Sequence, residues 1–224
     1  MNNLIISFEN VSKKYIESIS LSGFKSKLVL DDINLKIFNG EKVLINGPNG
    51  SGKTTLLKLI TEILMPNNGK IIFHQKLRKS FISSNDRSFY ARLTAFENLS
   101  FFASLDKIPK EQFLKNYQEY GDILDVKDFE EKKFNNLSSG QKKKLAILRG
   151  LIKKPDLLVL DEPMTYLDQR TKENFITLLN TEYIKNSNKS IFYASNTDEN
   201  IKFTKKINIS EKNIIENRWW YLHL

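Results

Sequence analysis

Apolar positions recur along this chain with two different periods, and the change from one to the other marks out its elements. Leu4 to Glu9 alternates enough for a strand, and Leu30 to Phe38 predicts a second with Ile33, Leu35 and Ile37 on one face. Between them Ile16 to Lys27 contains Ser and Lys and reads as an extended loop or short helix. Lys42 to Asn46 (KVLIN) reads as a strand, and LLKLITEIL after Thr55 as an amphipathic helix. Pro66-Asn67-Asn68-Gly69 is a turn before a strand at Lys70 to Phe73. Helical patterns dominate from about Ala95 to Glu131, predicting a helical insertion over roughly residues 86–140. Leu145, Leu148 and Ile152 then recur at three- and four-residue steps, giving a helix with one buried face. Lys153 and Lys154 fall near its negative end, and Pro155 helps stop it. Leu157 to Leu160 is continuous and apolar, as in a strand buried on both faces of a parallel sheet, and Ser190 to Ala194 (SIFYA) reads as a late core strand. The class is α/β, without internal repeats or low-complexity tracts.

At 224 residues the chain is long enough to bury a sizeable core, and a single domain over residues 1–224 is expected. The absence of cysteine excludes disulfide frameworks and thiolate metal sites. With only His74 and His223, a histidine metal cluster is not expected either. MNNLIISFEN lacks the basic region and apolar core of a secretory signal, and no apolar run is long enough to cross a bilayer. The expected location is cytoplasmic, with any membrane association coming through a partner or the surface. The net charge of +9 comes from Lys and Arg spread along the whole chain, without the aromatic–basic interleaving of a stacking surface. It reads as a solvated exterior, with an anionic membrane surface as the next alternative and no nucleic-acid partner expected.

Three segments carry candidate chemistry. Gly47-Pro48-Asn49-Gly50-Ser51-Gly52-Lys53-Thr54 fits G-x-x-x-x-G-K-[ST] between a strand and a helix. Glycines there let backbone N–H groups close around phosphate oxygens, and the helix start adds positive potential. Lys53 would neutralise the β- and γ-phosphates, and the Thr54 hydroxyl would ligate Mg²⁺. Leu137-Ser138-Ser139-Gly140-Gln141 places small polar residues at the start of a helix. Asp161-Glu162-Pro163 puts two carboxylates at the carboxyl end of the apolar strand, where open α/β sheets hold their ligands. Alone, the first and third have plain alternatives: a glycine-rich turn without a ligand and a solvated strand end.

Together, GPNGSGKTT, LSSGQ, LLVLDEP and then Tyr166-Leu167-Asp168 resemble the nucleotide-binding domain of the ABC ATPase family, over essentially the full chain. The P-loop is shared by many NTPases; LSSGQ immediately upstream of LVLDEP is much more specific. The resemblance implies a P-loop NTPase α/β core with an N-terminal antiparallel β-subdomain and an inserted helical subdomain. It also implies two copies packed head to tail, with ATP between the P-loop of one and the signature segment of the other. By position, Tyr15 resembles the aromatic residue that stacks on adenine. Gly47, Pro48, Asn49, Gly50, Ser51, Gly52, Lys53, Thr54 and Thr55 would cradle the phosphates. Thr54, Asp161 and Asn85 would hold the Mg²⁺ environment, and Glu162 would be the general base. Ser138, Ser139, Gly140 and Gln141 would contact the γ-phosphate bound by the opposite subunit, and Asp168 would couple the two sites.

Departures from the family pattern qualify this. Asn85 stands near the usual Gln and is one methylene shorter, with Ser84 at that place in a shifted alignment. Asn196 stands where a His usually faces the γ-phosphate, and an amide cannot carry imidazolium charge. LSSGQ replaces the more usual LSGGQ. Slow hydrolysis is therefore expected, as is compatibility with a heterodimer in which a weak site lies beside a stronger one. The expected function is an ATPase subunit powering a separate polytopic permease together with a second nucleotide-binding subunit. Residues 86–105 resemble exporter-type ATPases and favour export; Phe89, Tyr90, Phe96, Phe101 and Phe102 line a permease groove or fill the helical core. A soluble ABC ATPase acting on nucleic acid or the ribosome is the alternative, though tandem domains and coiled-coil arms are absent. A P-loop kinase of small molecules would show an acceptor lid instead of LSSGQ. The aromatic tail, residues 218–224, is expected to pack as a final strand or turn, or to contact a partner.

Overall fold

The structure, a computed structural model, describes residues 3–20, 23–83, 88–195 and 200–218. In chain order the elements are β1 (Leu4–Ser20), β2 (Gly23–Phe38), β3 (Lys42–Asn46), α1 (Lys53–Ile60), β4 (Asn68–Phe73), β5 (Lys79–Ile82), α2 (Ala95–Leu105), α3 (Lys110–Ile123), α4 (Ser139–Ile152), β6 (Leu157–Asp161), α5 (Gln169–Leu179), β7 (Ser190–Ala194), β8 (Lys205–Ser210) and β9 (Asn213–Arg218). Short 3-10 turns at Val126–Phe129 and Phe134–Asn136 lead from α3 into α4.

Alternation in the first strands builds an antiparallel sheet in the order β2-β1-β4, and Ile33, Leu35 and Ile37 are buried on one face as expected. Of the expected loop or short helix over residues 16–27, the described residues 16–20 and 23–27 are instead paired strand, the outer parts of β1 and β2, with Tyr15 opposite Lys27 and Ile16 opposite Ser26. The two arms satisfy each other's backbone groups while residues 14–18 face solvent, so no buried face imposed a period on their side chains.

A second sheet runs β5-β6-β7-β3-β8-β9, parallel throughout except for β9 against β8. Every residue of β6 is buried, because both faces are covered. Leu157 and Val159 join a core with α1 and the antiparallel sheet, whereas Leu158 and Leu160 join one with α2, α3 and α4. Tertiary context hid two other elements from the pattern. The Lys205 side chain in β8 is buried but ion-paired with Glu216 at 2.9 Å, so a core-facing position carries a charge. In α5 the buried stripe is narrow, resting on Thr171, Phe175, Leu178 and Leu179.

Helices α2 and α3 and the short turns fall within residues 88–140, and their core continues through α4 onto one face of the parallel sheet. Phe89 stacks on Phe134 and Phe96 packs against Phe113 and Tyr117, so these rings fill that core, while Tyr90 and Phe101 remain exposed. α4 crosses β5 at Gly150, where a Cβ would lie 2.5 Å from the Ile82 side chain. Among the described residues no helix is long and apolar enough to cross a membrane. Residues 219–224 of the aromatic tail lie outside the described residues; Arg218 ends β9.

Candidate nucleotide-binding site

The parallel strands bring their carboxyl ends to one edge, which gathers segments far apart in sequence. After β3 the chain turns through Gly47, Gly50 and Gly52 at φ 151°, 81° and 111° into α1. Only glycine takes such angles without strain, and a Cβ on Gly47 would lie 2.6 Å from the Ile209 carbonyl oxygen. Gly52 starts α1 without a side-chain cap of its own, so the first turn of the helix presents its N–H groups at the loop. A pocket of about 400 Å³ opens here, lined by Tyr15, Pro48, Lys53, Thr54, Asp161 and Glu162 among others.

Inside it the polar side chains are already oriented. Lys53 is largely buried and donates to the carbonyl oxygens of Gly47 at 2.7 Å and Pro48 at 3.4 Å. The Thr54 hydroxyl donates to Asp161 Oδ2 at 2.8 Å across the gap between α1 and β6. Two hard oxygen donors that close suit Mg²⁺, which binds through one or two carboxylates plus phosphate oxygens. Ser51 Oγ is buried with no hydrogen-bond partner among the described residues, an orphan that a phosphate oxygen would satisfy. Tyr15 stands over the same pocket, with its hydroxyl 3.3 Å from Thr55 Oγ1. Lys27 and Val29 also line it and were not identified from sequence. Once β1 and β2 are paired, the register places Lys27 beside Tyr15.

Glu162 follows β6 in the left-handed region at φ 47°. Its N–H donates to the Ala194 carbonyl at 2.9 Å, and its own carbonyl accepts from Lys143 Nζ at 3.2 Å. Lys143 was also missed, because a Lys-Lys-Lys run reads as a solvated surface. β5 ends two residues before Ser84 and β7 two residues before Asn196, but Asn85 and Asn196 lie outside the described residues.

The signature segment does not line this pocket. Ser138 caps α4 by accepting from the Gln141 N–H at 3.2 Å, and Gln141 Oε1 accepts from the Ser138 N–H at 3.0 Å. This reciprocal box fixes the helix start while leaving Ser138 and Ser139 exposed. Asp168 caps α5, accepting from the Thr171 N–H at 2.9 Å and the Thr171 hydroxyl, and it pairs with Lys144 at 3.1 Å. Those bonds from Thr171, with Lys144 beside them, hold its carboxyl well below the usual carboxylate range. A depressed folded pKa contributes stability above the unfolded value near ~3.9 and loses it as pH falls toward the folded one. Asp168→Ala should cost about 1 kcal/mol at neutral pH, as for other helix N-caps. The gap between wild-type and variant urea midpoints should narrow as pH drops from about 7 to about 3. An unchanged gap would remove the carboxylate's charge from the effect.

Comparison with known proteins points to one family. The sequence model of the ABC transporter family matches residues 30–165. The chain is 35% identical over 173 residues to the glucose import ATP-binding protein GlcV of Saccharolobus solfataricus, covering 71% of this chain and 49% of that protein. It is 28% identical over 222 residues to the spermidine/putrescine import ATP-binding protein PotA of Clostridium acetobutylicum, covering 96% of this chain and 60% of that protein. The chain thus spans about half the length of several curated relatives it matches. In three dimensions it resembles the dimeric ATP-binding cassette MJ0796 in a post-hydrolysis state bound to ADP and Pi, with a TM-score of 0.80 at 24% identity, covering 96% of this chain and 98% of that one.

Proposed function

Because this chain belongs to the ABC transporter family, we propose that it is the subunit that binds and hydrolyses ATP to power transport through a separate membrane permease. The observation that carries the reading is the 2.8 Å bond between Thr54 and Asp161 at the mouth of the glycine cradle, with Glu162 adjoining it. Tyr15 stacks on the adenine, and the cradle amides with Lys53 hold the phosphates. Thr54 and Asp161 would hold Mg²⁺, which would supply charge neutralisation to the phosphates. Glu162 orients the attacking water and accepts its proton. The start of α4 serves the ATP of a second nucleotide-binding subunit, a reading supported by its absence from this pocket and by the dimeric structures the chain resembles.

A permease partner is supported by an exposed apolar surface beside α2. Phe101 and Leu105 of α2 are exposed, and Ile63 after α1 and Arg149 of α4, which lies over the Phe102 ring at 4.0 Å, line a groove of about 330 Å³ with Leu105. The subunit then works on the cytoplasmic side of the membrane. The named relatives are import proteins, whereas the leaning toward export comes from the resemblance of residues 86–105 and of the Ile16 to Lys27 insertion to exporter-type ATPases, so transport is what the comparisons support.

The test has two arms. Purified protein should release phosphate from MgATP without a phosphorylated acceptor, and turn over faster as Asn196→His. Solubilised membranes should yield it together with a polytopic membrane protein; recovery with RNA or DNA instead would reject the transporter reading.

A further inference from the structure

Lys143 lies in the second turn of α4, is only 4% exposed, and has no part in the roles assigned above. Burying an ammonium is expensive unless its donors find acceptors. Its Nζ donates to the carbonyl oxygens of Ser83 at 3.1 Å and Glu162 at 3.2 Å. These residues come immediately after the last residues of β5 and β6, neighbouring strands whose ladder ends with Ile82 opposite Leu160. The ammonium therefore ties the two strands together just beyond the point where their own hydrogen bonds stop.

The backbone it holds is unusual. Glu162 sits at φ 47°, a conformation that strains a non-glycine residue and persists only when its surroundings enforce it. Its N–H is anchored on β7 through Ala194, and its carbonyl on α4 through Lys143. Two further contacts fasten the segment after Glu162 to the same helix. Tyr166 presents its carbonyl so close to Gly140 that a Cβ there would stand 2.9 Å away, and Lys144 pairs with Asp168.

We propose that Lys143 is a positioning residue for hydrolysis, holding Glu162 in the turn that sets its side chain at the pocket and linking that turn to the start of α4. The inference rests on the ATPase reading above. Because Ser138 and Gln141 open the same helix, a phosphate engaging that end acts on Glu162 through Lys143.

The test compares Lys143→Met, Lys143→Arg and Lys143→Gln in the full chain, at saturating MgATP and at a temperature where circular dichroism shows each folded. Lys143→Met should lose at least about tenfold in kcat, with MgATP affinity within about twofold of wild type. Lys143→Arg, which keeps charge and donors, should recover part of that loss. If Lys143→Met does not fold, the comparison of Lys143→Gln with Lys143→Arg decides in the same way. A merely structural lysine would lower the melting temperature and leave kcat unchanged. Wild-type kcat in all three variants, a parallel loss of affinity, or Lys143→Arg no better than Lys143→Met overturns the inference alone. Absence of turnover in the unsubstituted protein overturns the ATPase reading and this inference with it.

Discussion

Glu162→Gln should bind MgATP as wild type does and turn it over at least about a hundredfold more slowly, the range expected when a general base is removed. The substitution keeps the size of the side chain and the backbone anchors on Ala194 and Lys143, so the turn at φ 47° is preserved. What it removes is the carboxylate's capacity to take a proton from water. The loss should fall on kcat and not on affinity, because the group acts only as the proton moves. Single-turnover phosphate release beside equilibrium MgATP binding separates the two. A dimer trapped with ATP should also accumulate, visible by light scattering. Turnover within a few-fold of wild type would take the role of base away from Glu162.

Lys53→Met should do the opposite, weakening MgATP binding by about 10- to 150-fold, since hydrogen bonds to charged groups contribute roughly 1.5–3 kcal/mol each. Lys53 is nearly buried beneath the loop and bonds to the carbonyls of Gly47 and Pro48, so its ammonium is already held where phosphate arrives. Methionine fills comparable volume without charge, and thermal unfolding of the free protein serves as the control for general damage. Fluorescence titration with a labelled ATP in the presence of Mg²⁺ gives the affinity. Binding within twofold of wild type would mean that the loop amides alone carry the phosphates.

The two substitutions differ in how visible their residues were. Lys53 belongs to a contiguous motif in which strand, glycine turn and helix follow one another, so local chemistry defined it without any long-range pairing. Glu162 was likewise legible at the end of an apolar run. Lys143 was not, since its acceptors follow two strands and stand 60 and 19 residues away, and nothing in a lysine run distinguishes the buried member. Lys27 was obscured for a related reason: its place beside Tyr15 depends on the hairpin register, and the exposed arms carry no apolar period. Asp168 shows a third case, where the residue stood out in sequence but its bonds to Thr171 and Lys144 came only with the fold.

By itself the sequence determined the α/β class, the glycine turn between β3 and α1, the carboxylate pair after β6 and the start of α4 at small polar residues. Each depends on neighbours within a few positions: glycine's freedom at positive φ, the reach of a serine to the third N–H ahead, or the continuous apolar run of a doubly covered strand. The tertiary structure alone decided that Thr54 meets Asp161, that β8 buries a lysine against Glu216, and that α4 is fastened to the turn at Glu162. The first and last of those contacts join segments that the order of strands brings to the carboxyl edge of the sheet, and that order is set by packing across the whole core.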